Sequence, residues 1–395
     1  METTPAFAGL TCTACDDRFD AAEAPGRCPS CGGVLDPTYD YDAVAVDPET
    51  LPGAPFADLW RYADLLPFPA SAAGRLGAGG TPLVECPALA DELGVGAVYV
   101  KDEGRNPTGS VADREQALAV TAAVQHGAAD VALATTGNAG QSAAAYAARA
   151  GLDAHVFVPT RAPFVNKAMI NVHGGDMSVV EGRFADARAA YEDAAETSWH
   201  SLQDFETPYR HEGPKTLLYE VVEQLDWSVP DHVVAPTGSG SGVVGVHKAA
   251  TELRDLGLVD RVPSVYAAQA EGCAPVVEAF EAGRDRPQPW EVPDTICGDV
   301  EIPDPAGGHL ALRALRESDG GAVATGDEDI LDSVVTVAQH EGLEVGLAGA
   351  AAASGAWALA NAGTFDDDDT VVLVNPAAGD KDADVARSHL MGKGI

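Results

Sequence analysis

Lysine is scarce in this chain. Six stand among 395 residues (Lys101, Lys167, Lys215, Lys248, Lys381 and Lys393), and 24 basic side chains face 61 acidic ones, a formal net charge of −37. Such a surface cannot neutralise nucleic-acid phosphates or anionic lipid, so nucleic-acid and membrane binding are excluded as functions. Long apolar runs are missing too: no segment reaches the ~18 apolar residues of a bilayer span. Met1 to Leu10 lacks the basic start and apolar run of a secretory signal, so a cytoplasmic location is expected. Cysteine is sparse and uneven. Four of seven fall in the first 31 residues while Cys86, Cys273 and Cys297 are scattered, which excludes a secreted disulfide scaffold. What is present is 46% hydrophobic residues, enough for a core, in a length that suits two or three domains. The acid is spread along the whole chain. A protein working in very high salt fits, because screening removes the self-repulsion; an ordinary acidic enzyme is the plainer alternative.

The clustered cysteines form two C-x2-C pairs, Cys12/Cys15 and Cys28/Cys31, twelve residues apart. Each pair presents two thiolates from a tight turn, and two facing turns complete a tetrahedral S4 site for structural zinc. Four thiolates leave no open position, so the metal folds a ribbon and does no chemistry. Disulfides are the alternative, disfavoured in a reducing compartment. The expected ribbon covers residues 1–36, an Asp- and Pro-rich linker 37–57, and the main body 58–395, with a smaller domain at about 96–200.

From Gly94 onward short apolar strands alternate with amphipathic helices: strands at 98–100, 131–135, 155–159, 233–235 and 371–374, helices at 113–126, 140–150 and 163–173. This alternation predicts an α/β protein with parallel sheet covered by helices on both faces. The acidic run Asp366–Asp369 reads as a solvated loop. Three polar turns stand where open α/β sheets bind ligands, at strand C-terminal ends. They are Asn106-Pro107-Thr108-Gly109-Ser110, Thr135-Thr136-Gly137-Asn138-Ala139-Gly140, and Pro236-Thr237-Gly238-Ser239-Gly240-Ser241-Gly242. The last, between a strand and a helix, offers backbone N–H groups and two hydroxyls to a phosphate.

Taken together these segments resemble the threonine synthases, members of the fold-type II pyridoxal-phosphate (PLP) enzymes that include tryptophan synthase β. The likeness rests on Gly80-Thr81-Pro82-Leu83, Lys101-Asp102-Glu103, Asn106–Ser110 with Asp113-Arg114, Thr136-Gly137-Asn138, Arg210, Glu212-Gly213, Lys215-Thr216 and the GSGSG turn. It implies two doubly wound α/β domains with a PLP cleft between them, preceded by a zinc ribbon. It further implies Asn138 against the phenolic oxygen of PLP and Gly238, Ser239, Gly240, Ser241 and Gly242 around its phosphate. The family reaction converts O-phosphohomoserine to threonine, with PLP as electron sink.

Three positions depart from the family pattern. Where the family reads Asn-Pro-Thr-Gly-Ser-Phe-Lys-Asp-Arg, this chain has Val111-Ala112-Asp113-Arg114, so Ala112 occupies the place of the imine-forming lysine. A methyl group has no nitrogen lone pair. Lys101 and Lys215 match lysines the family carries in addition, and Lys248, Lys381 and Lys393 have no motif context. The family's Thr-Gly-x-Gly beside the pyridine nitrogen is Asn375-Pro376-Ala377-Ala378-Gly379, where Asn375 still offers an amide. A family Glu-Pro-Ala-Ser is Gly346-Leu347-Ala348-Gly349. Arg210 and Lys215 are candidates for a substrate anion, or are satisfied by carboxylates such as Glu212.

Three functional expectations follow. In the first, a non-catalytic or repurposed threonine-synthase-like protein binds PLP non-covalently, or another phosphorylated metabolite, as a homodimer beside an active paralogue. The second is a working threonine synthase or related lyase that uses another lysine or no protein imine. The third is a structural partner with no ligand.

Overall fold

The computed structural model describes residues 1–23, 26–44, 46 and 58–392. Strands β1 (Phe7–Cys12), β2 (Arg18–Phe19) and β3 (Leu35–Tyr39) open the chain. They are followed by β4 (Leu83–Glu85), β5 (Ala97–Asp102), β6 (Asp130–Ala134), β7 (Asp153–Pro159), β8 (Asp176–Val180), β9 (His200–Ser201), β10 (His232–Pro236), β11 (Ser264–Ala270), β12 (Gly321–Thr325) and β13 (Thr370–Asn375). Two compact units result: Met1–Gly80 with Ala112–Leu217, and Thr81–Val111 with Leu218–Ile395.

The first unit holds an antiparallel ribbon in the order β2-β1-β3 and a parallel sheet in the order β8-β7-β6-β9. Leu133, Val156 and Val158, on the central strands β6 and β7, are fully buried, as a sheet with helices on both faces requires. The ribbon is not a separate body: Leu10, Cys12 and Leu35 share one apolar core with Leu118, Tyr146 and Leu202. Its third strand runs to Tyr39, past the expected ribbon end at residue 36. Of the expected linker, Ala45 and residues 47–57 lie outside the described residues.

The second unit is a six-stranded sheet in the order β12-β11-β10-β13-β5-β4, parallel except for β4. β5 lies inside the expected smaller domain of about 96–200, yet it pairs with β13 in this larger sheet. The alanine-rich helix Leu347–Asn361 packs against β10 to β13, its small side chains allowing close approach. Pairing of Asn375 with Asp102, and of Val234 with Leu373, sets the C-terminal ends of β5, β13 and β10 side by side on one rim. The α/β alternation read along the chain, with two α/β bodies of fold-type II kind, is therefore what the strands build. Among the described residues no helix is long and apolar enough to cross a membrane.

Candidate functional site

The four N-terminal cysteines converge. β1 ends at Cys12, and the sulfur atoms of Cys12, Cys15, Cys28 and Cys31 all lie within 4.8 Å of one another. Individual separations are 3.5 Å for Cys12–Cys31, 3.8 Å for Cys15–Cys28 and 3.4 Å for Cys15–Cys31. A tetrahedral centre with metal–sulfur bonds of about 2.3 Å has sulfur edges of about 3.8 Å, so the spacing fits one metal ion. For the metal-free thiols, burial pushes Cys28 up, but the backbone N–H groups of Cys31 and Ser30 and the neighbouring thiols outweigh it and bring it down to about 7. For Cys15 the backbone N–H of Asp17 pulls downward, and the surrounding thiols together with burial overcome it to reach about 12.

In the second unit, β10 passes through Thr237–Gly240 into the helix Ser241–Asp255. Thr237 is pinned: its N–H donates to Ala268 O at 2.8 Å, its Oγ1 to Ala235 O at 2.9 Å, and its carbonyl accepts from Gln269 Nε2 at 2.9 Å. Gly240 has φ +99°, a conformation that disfavours any side chain, and a Cβ there would meet Gly307 O and Ala311 Cβ at 3.2 Å. The turn thus brings bare backbone to the helix N-terminus, where the helix dipole favours an anion. Gly238, Ser239, Ser241 and Gly242 all stand in this turn or the first helical residues.

The next strand ends at Asn375, which is 1% exposed. Its Nδ2 donates to Asp102 Oδ1 at 2.9 Å and its Oδ1 accepts from Gly346 N at 3.3 Å. Both ends of the amide that the sequence left on offer are engaged. The changed Gly346–Gly349 stretch explains why: a Cβ on Gly349 would lie 2.3 Å from Asn375 Oδ1. Asp382 caps the same helix, accepting from Leu347 N at 2.8 Å; burial raises its pKa against that hydrogen bond.

Beyond β13 the chain is laced to the loop after β5. Val111 N donates to Pro376 O at 2.8 Å, Ala378 N to Gly109 O at 3.0 Å, and Lys381 Nζ to Thr108 O at 2.8 Å. Ser110 Oγ is buried and makes no hydrogen bond among the described residues. Lys381 escaped the sequence reading because its neighbour is 273 residues away; the one local signal was a lysine shortly after a rim strand.

In the first unit Ala112 is buried and opens the helix Ala112–Gln125. Ser142 Oγ donates to Asp113 at 2.6 Å and Arg114 Nη1 to Thr216 Oγ1 at 2.9 Å, which fixes the helix start on both sides of the methyl. Asn138 opens the helix Asn138–Ala150, and its Oδ1 accepts from Asn166 Nδ2 at 3.0 Å. Asn166 Oδ1, fully buried, makes no hydrogen bond among the described residues.

The two anion candidates already meet carboxylates. Arg210 lies against Glu115 at 2.8 Å and Asp204 at 3.0 Å; burial lowers its pKa, and these carboxylates overcome that and raise it. Lys215 is wholly buried, 2.7 Å from Glu212 and 4.1 Å from the centre of the Tyr39 ring. Tyr39 in turn donates to Glu212 at 2.5 Å. Lys101 is equally buried, donating to Thr81 O, Glu220 and Gln224 at 2.7, 2.7 and 2.9 Å, which uses all three of its protons. Lys393 lies outside the described residues.

A family model described as pyridoxal-phosphate dependent enzyme matches residues 74–377. Threonine synthase of Methanosarcina acetivorans is 36% identical over 366 residues, covering 92% of this chain and 90% of its own. That of Methanocaldococcus jannaschii is 35% identical over 379 residues, covering 95% and 93%. Among solved structures, an L-serine ammonia-lyase from Rhizomucor miehei matches with TM-score 0.67 and 21% identity, over 78% of this chain and 97% of that one. Maize serine racemase matches with TM-score 0.66 and 17% identity, over 80% and 94%. At these identities the two structures speak for the fold.

Proposed function

We propose a function from the premise that this chain belongs to the pyridoxal-phosphate dependent enzymes and, within them, to the threonine-synthase-like family. It binds PLP or a related phosphorylated metabolite, and the family conversion of O-phosphohomoserine to threonine is impaired in it or replaced. One contrast carries the reading: the phosphate turn at 237–242 keeps its bare backbone and its pinned start, while residue 112 carries only a methyl.

The residues fit a phosphorylated aromatic aldehyde in part. Gly238, Ser239, Gly240, Ser241 and Gly242 hold the phosphate, and the buried hydroxyl of Ser110 leaves a donor for a ligand. Asn138, whose Oδ1 accepts from Asn166, is the residue assigned to the phenolic oxygen in this reading. Asn375 is held by Asp102 and Gly346, one hydrogen bond at each end of its amide, which leaves one N–H of Nδ2 for a ring nitrogen. When bound, PLP supplies an electron sink; residue 112 supplies neither an amine to hold it nor a base to move a proton. Arg210 and Lys215 hold the protein together through Glu115, Asp204 and Glu212.

Equilibrium dialysis in molar KCl tests the reading. PLP is retained by the wild type and lost progressively in Ser239→Ala and Ser241→Ala. Threonine formation from O-phosphohomoserine is slower than in Ala112→Lys by the ~10²–10⁴-fold that a positioned acid–base group contributes. Absence of PLP binding, or wild-type turnover equal to that of the lysine variant, would overturn it.

The four-cysteine centre holds zinc in this reading, and the acidic surface suits concentrated salt. Raising KCl from about 0.1 to 1 M shortens the screening length from about 10 to 3 Å, so the urea midpoint rises steeply if −37 charges repel one another. A flat response would reject the halophilic reading. The expected partners are a second copy of the chain and an active paralogue, in the cytoplasm.

A further inference from the structure

β5, β13 and β10 are consecutive neighbours in the second unit's sheet, about 5 Å apart from strand to strand. Their C-terminal ends share one rim, from which rise Asn106–Val111, Pro376–Asp382 and the phosphate turn. Lys381 stands on that rim with its amine 2.8 Å from Thr108 O. Its stem lies along Gly109, where an added Cβ would sit 3.3 Å from Cε and 3.6 Å from Nζ. Ser110, in the same loop and two residues before Ala112, is 1% exposed with its hydroxyl unengaged among the described residues.

The remaining described lysines are placed elsewhere. Lys101 and Lys215 are buried against Glu220 and Glu212. Lys167 donates to Thr160 O in the first unit. Lys248 is the eighth residue of the helix Ser241–Asp255, some 10 Å along its axis from the phosphate turn at 1.5 Å per residue.

We propose that Lys381 anchors PLP covalently on this rim. The inference rests on the reading of this chain as a PLP-binding protein. The Lys381 ammonium first gives one proton to solvent, and the lone pair of the resulting amine adds to the aldehyde carbon. A carbon–nitrogen double bond forms, the aldehyde carbon–oxygen bond breaks, and water leaves carrying that oxygen and both amine protons. The flexible four-carbon stem lets Nζ leave Thr108 O for the ligand. Anchoring is the role assigned to Lys381; proton transfer at substrate is not.

The test is chemical trapping on the full chain in molar KCl. PLP is added, its stoichiometry is measured by dialysis, the complex is reduced with borohydride, and tryptic peptides are mapped. The expected result is a pyridoxyl group on Lys381, absent after Lys381→Arg. Retained label in Lys381→Arg, or wild-type label on another lysine, overturns the proposal. Stoichiometric PLP without reducible label also overturns it, and leaves the PLP-binding reading standing. No PLP retained by dialysis overturns that reading and the proposal with it. The wild-type peptide map decides the matter even if the variant folds poorly.

Discussion

Replacing Gly349 by alanine probes whether Asn375 has become a structural residue. The added Cβ would sit 2.3 Å from Asn375 Oδ1 and 3.2 Å from its Cα, and real Cβ contacts essentially never fall below 3.0 Å. Neither side yields easily. Gly349 lies in the first turn of a buried helix, and Asn375 ends a central strand with its amide held by Asp102 and Gly346. Overpacking costs about 1–3 kcal/mol. Displacing Asn375 adds about 1 kcal/mol for the bond from Gly346 and about 2 kcal/mol for the bond to the Asp102 carboxylate. The expected loss is about 5 kcal/mol, read as a lower urea midpoint with unchanged slope at fixed KCl. In an Asn375→Ala background the obstructing oxygen and both its hydrogen bonds are gone, so the same substitution costs about 3 kcal/mol less. A loss below about 1 kcal/mol, or strict additivity of the two substitutions, would refute the packing argument.

Metal binding carries a pH signature, because the ligands must be thiolates. With Cys28 near 7 in the metal-free protein, zinc added to the protein is stripped by a chelator more completely at pH 6 than at pH 8. Equal stripping at both, followed with a colorimetric zinc indicator, would count against four-thiolate ligation. His200 is a second titrating group: burial first, and then His126 stacked 5.5 Å away, lower its pKa from 6.5 to about 4. The folded protein keeps it neutral while the unfolded chain protonates near 6.5, so unfolding takes up a proton in that window. Stability present above pH 6.5 is lost as pH falls toward 4, by up to about 3 kcal/mol, and His200→Phe flattens the slope of unfolding free energy against pH. Lys101→Met removes the cation that faces Glu220, which is 1% exposed, and costs about 3–5 kcal/mol by urea unfolding. Adding Glu220→Leu recovers most of that loss; recovery of none would mean the pair is not the cause.

Much of the fold was legible because its signals are local. Runs such as Val371–Val374 and turns such as Gly238–Gly242 reveal strand, turn and helix to anyone reading a dozen residues at a time. The cysteine spacing announced the four-sulfur cluster in the same way. Domain limits were less legible. The ribbon's Leu10 and Leu35 look like any small-domain core, and nothing near them tells that Leu118 and Leu202 complete it. The roles of Arg210 and Lys215 stayed open for a similar reason, since a cation's value depends on which carboxylates the fold carries to it. Glu212 was near in sequence, but Glu115 lies 95 residues from Arg210.

The sequence by itself determined the α/β alternation, the two C-x2-C pairs, the glycine-rich turn after β10, and the absence of an amine at residue 112, since each is written in residue identity and short spacing. Tertiary structure alone decided where the remaining polar groups point. Strand order places β5 beside β13, and this brings Asn375 to Asp102 and Lys381 to Thr108 across 273 residues in each case. Sheet pairing is set by burying whole faces of the chain together, a collective property that no window of neighbouring residues contains. The scarcity of lysine was a matter of composition; that Lys381 reaches Thr108 in the loop after β5 was a matter of the fold.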